Sequence, residues 1–249
     1  MHKKLAVLYA FFLILWEIPC AAQGIDSLLS IADSLYNENQ YNQSAHLYRE
    51  ACGLDSNRFE PFWKLGRSLN FEGETAPRDS QLAIFLEAGE AEKQALKLRK
   101  ADADAHFQLA RALGKIALFK GVFKSASLAR QVRKECLRAL ELDSLHDGAW
   151  HILGRWNREV GKKPKIVRIP MGLGEANKKD AIVFMKKAVE LRPDYINHHL
   201  ELGITYMTYD DDRAARAEFE KCLELKSQRP LDEKYKDDAK KYLAELNKK

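Results

Sequence analysis

Four cysteines, seven prolines and thirteen glycines among 249 residues already exclude several kinds of protein. Cys20 lies in the N-terminal stretch, and Cys52, Cys136 and Cys222 are an odd set with no CxxC spacing. That pattern argues against a disulfide framework or a thiolate zinc site, and leaves small, inert core thiols. Proline is too rare for an extended or low-complexity chain, and 46% apolar with 31% charged residues describes an ordinary folded protein. The one long apolar run, residues 5–16, is short of the roughly 20 residues that span a bilayer. Catalytic signatures are missing as well, with no HExxH and no GxSxG, and histidines fall singly apart from His198-His199. Gly172-Leu173-Gly174 has no preceding strand and no Lys-Ser/Thr after it, so it is not a phosphate loop. Asp210-Asp211-Asp212 lacks the alternate spacing of a calcium loop and reads as a turn with one Asp capping the next helix. The sequence therefore points to a non-enzymatic protein without cofactor or metal.

What the sequence does contain is a repeat. In AWHILGRW, Trp150, Leu153, Gly154 and Asn157 share one helical face, and the same large, apolar, small order recurs at Leu28-Ile31-Ala32, Phe62-Leu65-Gly66, His106-Leu109-Ala110 and His199-Leu202-Gly203. A second mark, one small and one apolar residue, occurs at Ala51-Cys52, Ala95-Leu96, Ala139-Leu140, Ala188-Val189 and Cys222-Leu223. The step from each second mark to the next first mark, and from 222 to 233 at the end, is eleven residues every time. From first to second mark the steps are 23, 33, 33, 38 and 23, so the second, third and fourth units carry 10, 10 and 15 extra residues. This is the grammar of a tetratricopeptide repeat (TPR), in which a Gly or Ala lets two helices approach closely. It predicts an all-α solenoid of five helix pairs starting near residues 25, 59, 103, 147 and 196, closed by a capping helix over 231–246. All insertions should fall on one edge.

The first 22 residues stand apart. A charged start at His2-Lys3-Lys4, the apolar run and Cys20-Ala21-Ala22 before Gln23 form a secretory signal peptide, with Pro19 disfavouring a lipoprotein signal at Cys20. The expected mature domain, 23–249, is then an exported bacterial protein of the periplasm. Charge is uneven along it: residues 23–92 hold 5 basic and 12 acidic side chains, whereas 93–187 hold 22 and 9. A field of one sign favours anionic partners, and export makes nucleic acid an unsuitable one.

The insertions differ in kind. The first, 71–80, reads as a loop because Gly73 and Pro77 interrupt it. The second places Ile116, Phe119 and Phe123 at helical spacing among Lys115, Lys120 and Lys124, which fits two lengthened helices with the phenylalanines between them, or a membrane or ligand contact. The third, 162–180, sets Ile166, Val167, Ile169, Met171 and Leu173 between Lys162, Lys163, Lys165 and Arg168 on one side and Lys178 and Lys179 on the other. Such an apolar patch must be covered, and a lid over the groove is the expected arrangement.

The order of motifs resembles the TPR domain of the regulator of microtubule dynamics family, which includes protein tyrosine phosphatase-interacting protein. The similarity runs through FWKLGRSLN at Phe62, HFQLARALGKIALFKG at His106, RKECLRALELDSLHDGAWHILGRW from Arg133, and the stretches after the third insertion, about residues 60 to 245. The resemblance implies a helical superhelix whose concave side holds a phospholipid or a partner helix. It places Trp63, Arg67, Arg111, Trp150 and Arg155 near the candidate site, with no catalytic residue. Adding the insertion residues Phe119, Phe123, Lys162, Lys163, Lys165, Arg168, Met171 and Leu173, two expectations follow. The chain is a scaffold that takes a protein segment or amphipathic peptide in its groove, or it binds or carries an anionic lipid and touches a membrane surface.

Overall fold

The computed structural model describes residues 24–120 and 125–248. The expected signal peptide, Phe123 and Gly121 lie outside them. Twelve helices and no strand are found among the described residues. Helix α1 covers 24–37. It is followed by α2 (Tyr41–Leu54), α3 (Phe59–Thr75), α4 (Arg78–Leu98), α5 (Ala103–Lys120), α6 (Ala126–Leu142) and α7 (Asp147–Gly161). Then come the one-turn α8 (Lys165–Arg168), α9 (Lys178–Leu191), α10 (Ile196–Thr208), α11 (Asp212–Glu224) and α12 (Asp232–Leu246). Each helix packs mainly on its neighbours in sequence, so the molecule is an α-solenoid.

The constant eleven-residue step has a local cause. Four second helices end on the same turn: Asp55, Arg99, Asp143 and Arg192 take φ between −138° and −143°, and each backbone N–H donates to the small residue four back, Ala51, Ala95, Ala139 or Ala188. The next helix starts four residues later. The ring at the first mark then closes on the turn: Trp150 Nε1 donates to the Ser144 carbonyl, and His106 and His199 Nε2 meet the Lys100 and Pro193 carbonyls, always six residues back. The fifth step breaks this rule despite equal spacing. Leu225 leaves α11 with φ −66° and ψ 143°, and α12 begins seven residues after it.

Close approach within a unit is set by glycine. A Cβ on Gly154 would lie 2.5 Å from Met185 Cγ and 3.0 Å from the Met185 backbone nitrogen, so only hydrogen fits between α7 and α9. The apolar interior is nearly continuous. One cluster joins Leu29, Tyr48, Leu65 and Leu69, a second Leu113, Cys136, Leu153 and Trp156, and a third Leu200, Phe219 and Leu246. Cys136 and Cys222 are buried in it and Cys52 is half-buried, all as free thiols whose pKa burial raises.

Two expectations need correction. Residues 71–80 are not a loop: α3 continues through Gly73 to Thr75 and α4 begins just past Pro77. Gly73 serves close packing there, since a Cβ would meet the Phe85 ring at 2.6 Å. Proline, placed before the first turn of α4, starts that helix instead of breaking one. The third insertion, secondly, is no lid over the groove. It lies on the insertion edge against α6, with Arg130 bonded to the Met171 carbonyl and Arg133 Nη2 2.7 Å from Glu175. The same edge is stitched elsewhere by Arg78, whose guanidinium sits 5.5 Å over Phe119, and by Lys178, which donates to the Tyr209 carbonyl.

Candidate functional site: the concave face

Arg67, Arg111 and Arg155 are 44 residues apart and stand at one register of three successive first helices, α3, α5 and α7. A solenoid turns that register towards the inside of its curve, so the three guanidiniums form a ladder. Side chains from distant first helices converge there. The phenol of Tyr36 on α1 lies in the fields of Arg67, Arg111 and Arg229. Tyr235 on α12 lies in those of Glu74, Tyr195, Arg111 and Arg155.

Aromatic rings support two of the arginines. The Arg67 guanidinium is 3.8 Å from the centre of the Tyr36 ring and 4.6 Å from that of Trp63, and Arg111 lies 4.0 Å over Phe71. Such contacts favour a flat, delocalised cation and hold its edge in place for a carboxylate. Arg111 Nη2 is 3.0 Å from Glu74, which also takes Lys115 Nζ at 2.8 Å, while Arg155 Nε is 3.2 Å from Glu201. Burial alone would raise the pKa of Glu74. Arg111 and Lys115 outweigh it and hold the carboxyl at about 2. Glu201 is likewise held at about 2, burial being overcome by Arg155 and Arg158. Both acids are charged at neutral pH, and Arg67, Arg111, Lys115, Arg155 and Arg229 still outnumber them.

The two ends of the solenoid meet across this face. Tyr41 and Phe71, stacked at 4.9 Å, line one side of a crevice whose other side is Tyr195, Arg229, Pro230, Leu231, Asp232 and Tyr235. The crevice holds about 10 Å3, the room of a single water. Burial raises the pKa of Tyr41 to about 12 and that of Tyr195 above its ordinary value, so both phenols stay neutral.

The sequence expectations divide along these lines. Trp63, Arg67, Arg111 and Arg155 are together on the concave face. Trp150 is not with them: its ring packs on Phe184 of α9, 5.2 Å between centres, between the two helices of its own unit. Phe119 and the third insertion are on the edge. There Arg168 is buried, donating to the carbonyls of Lys163, Leu173, Gly174 and Ala176, and Leu173 is buried with Met171 beside it. Lys162 pairs with Glu159, while Lys163 and Lys165 are exposed. Glu74, Glu201, Tyr36, Tyr195 and Tyr235 were not foreseen. No residue type recurs at their positions, whereas the arginines, which the family resemblance placed here, recur every 44 residues. Among the described residues no cluster of His, Cys, Asp or Glu could hold a metal ion, and no helix is long and apolar enough to cross a membrane.

The family model described as "Regulator of microtubule dynamics protein 1-3" matches residues 28–247. The chain belongs to that family. No curated protein matches the sequence. Among solved structures, this member of the regulator of microtubule dynamics family is similar to TTC0263, a thermophilic TPR protein of Thermus thermophilus. The two share 16% identity over 88% of this chain and 99% of that one, with a TM-score of 0.66. Pseudomonas aeruginosa pilF follows at 13% identity, 92% of each chain and a TM-score of 0.56. MamA of Desulfovibrio magneticus RS-1, from residue 41 to its end, shares 19% identity over 81% and 94%, with a TM-score of 0.53. At these identities the likeness is one of fold, and the fold is the TPR solenoid.

Proposed function

We propose that the protein is a non-enzymatic interaction scaffold that holds an acidic, extended segment of a partner protein along its concave face. The ladder of Arg67, Arg111 and Arg155 carries this reading, because guanidiniums at one register of successive helices, the first two held on aromatic rings, suit carboxylates presented at intervals. Against a lipid ligand stands the lining: a lipid needs a closed apolar cavity of several hundred Å3, whereas the hollow of about 520 Å3 beside His106 is open and edged by Arg130, Arg133, Lys134, Glu135 and Arg138, and the crevice between Tyr41 and Tyr195 holds about 10 Å3. The charged start, the apolar run and the small residues before Gln23 support export, with the periplasm as the place of action.

The test is co-purification from the native compartment with a paired control. The protein should carry a defined polypeptide, and Arg67→Glu with Arg155→Glu should lose it while far-ultraviolet circular dichroism stays unchanged. Equal recovery of the same polypeptide by the variant would refute the assignment of the site.

A further inference from the structure

The third insertion turns three apolar side chains outward and fixes them there. Ile166 is 83% exposed, Ile169 58% and Val167 37%, side by side on a segment of under twenty residues. Looseness does not explain this. The buried Arg168 guanidinium ties the segment to four of its own carbonyls, Arg130 holds the Met171 carbonyl, and Leu173 and Ala176 are anchored in the core formed with Leu113 and Trp156. The base is rigid and the tip is apolar.

Charge surrounds that tip on one sign. From 162 to 179 the segment carries Lys162, Lys163, Lys165, Arg168, Lys178 and Lys179 against the single acid Glu175. Arg168 is used internally and Lys162 meets Glu159, but Lys163, Lys165 and Lys179 have no ion-pair partner among the described residues. Farther along the same edge Leu118, at the end of α5, is 69% exposed.

We propose that this edge is a membrane-docking wedge: Ile166, Val167 and Ile169 enter the interface of an anionic bilayer while Lys163 and Lys165 engage the lipid headgroups. The geometry favours a bilayer over a protein partner. A stable protein interface buries about 800 Å2 on each side, and this tip offers only three exposed apolar side chains. Apolar insertion and basic attraction are the two components that hold an interfacial segment on anionic lipid. The site is separate from the concave face and stands or falls independently of the scaffold reading.

Flotation with vesicles of phosphatidylcholine and phosphatidylglycerol, compared with phosphatidylcholine alone, reads the partition of the full chain. Preference for the anionic vesicles is expected, weakened more than tenfold by Lys163→Ser and Lys165→Ser together, since each basic residue at such a surface contributes about fivefold. Ile166→Asp with Ile169→Asp should lose the same partition; both positions are exposed, so the fold is kept. A site-specific readout separates the tip from any other lipid-binding stretch: in the Ile166→Trp protein, the introduced indole should be quenched by brominated acyl chains. An unquenched indole, or partition unchanged by the aspartates, would overturn the proposal. So would loss through the lysine changes alone, which is adsorption without insertion.

Discussion

Arg158 on α7 donates to the Glu201 carboxylate on α10 at 2.6 Å, and its other terminal nitrogen donates to the Glu201 carbonyl and the Thr205 hydroxyl, both at 3.0 Å. The pair joins the fourth and fifth units out of contact with water, the Arg158 side chain being 3% exposed. An ion pair of this kind contributes modestly as a pair, yet stranding one member is costly. Glu201→Leu should therefore destabilise the protein by about 3 to 5 kcal/mol. Adding Arg158→Met should recover much of that loss. Urea unfolding of both variants checks the prediction, and a single variant as stable as wild type would contradict it.

Acid should unfold the protein through Glu74 and Glu201. Both have folded pKa values depressed to about 2, against about 4.3 for an unfolded glutamate. Their contribution is complete above the unfolded value and is lost as pH falls through the folded one. Melting temperature should thus drop between about pH 4.3 and 2, and Glu74→Gln should make that drop shallower.

Histidines act with opposite signs. His106 has Nδ1 2.6 Å from Glu135 and Nε2 3.0 Å from the Lys100 carbonyl, so both nitrogens face acceptors. Burial pulls its pKa down, but the carboxylate and the carbonyl outweigh it and leave the pKa raised. Its contribution is present below about pH 6.5 and lost as pH rises through the folded value. His151 and His198 form a buried chain to Asp147, 2.8 Å at each link. Burial lowers both of their pKa values, His151 furthest because the His198 charge acts in the same direction. They stabilise the fold above about pH 6.5 and cease to do so on acidification. In denaturation across that range, the deficit of His106→Gln should shrink with rising pH and that of His151→Phe should grow.

Helix contact in the fourth unit depends on Gly154. Gly154→Leu would drive a side chain into Met185 and its backbone, at a cost of about 1 to 3 kcal/mol or more from overpacking. A urea midpoint equal to that of wild type would show that α7 and α9 have room to spare.

These contacts also explain what could be read from the sequence. The eleven-residue step was legible because it records one turn used four times, in which Ala51, Ala95, Ala139 and Ala188 accept the N–H that ends each second helix. Gly73 and Pro77 were misread because a breaker's effect depends on position: Gly73 lies against Phe85 inside α3, and Pro77 stands where α4 begins. For the third insertion the apolar residues were visible but their directions were not. Leu173 points into the core and Ile166 away from it, a choice made by Arg168 reaching carbonyls up to eight residues away. Of the concave face, the arginines were marked by the family resemblance and recur every 44 residues. Tyr36, Tyr195 and Tyr235 were not marked, since only the superhelical curve brings residues so far apart in sequence together.

Native mass spectrometry of the protein purified from its own compartment tests the central claim most directly. A scaffold whose concave arginines hold a partner segment should be observed with a polypeptide bound in stoichiometric amount, released by high salt and missing from the Arg67→Glu, Arg155→Glu variant. A protein that carries no polypeptide, or one whose bound polypeptide survives those two substitutions, would contradict the account.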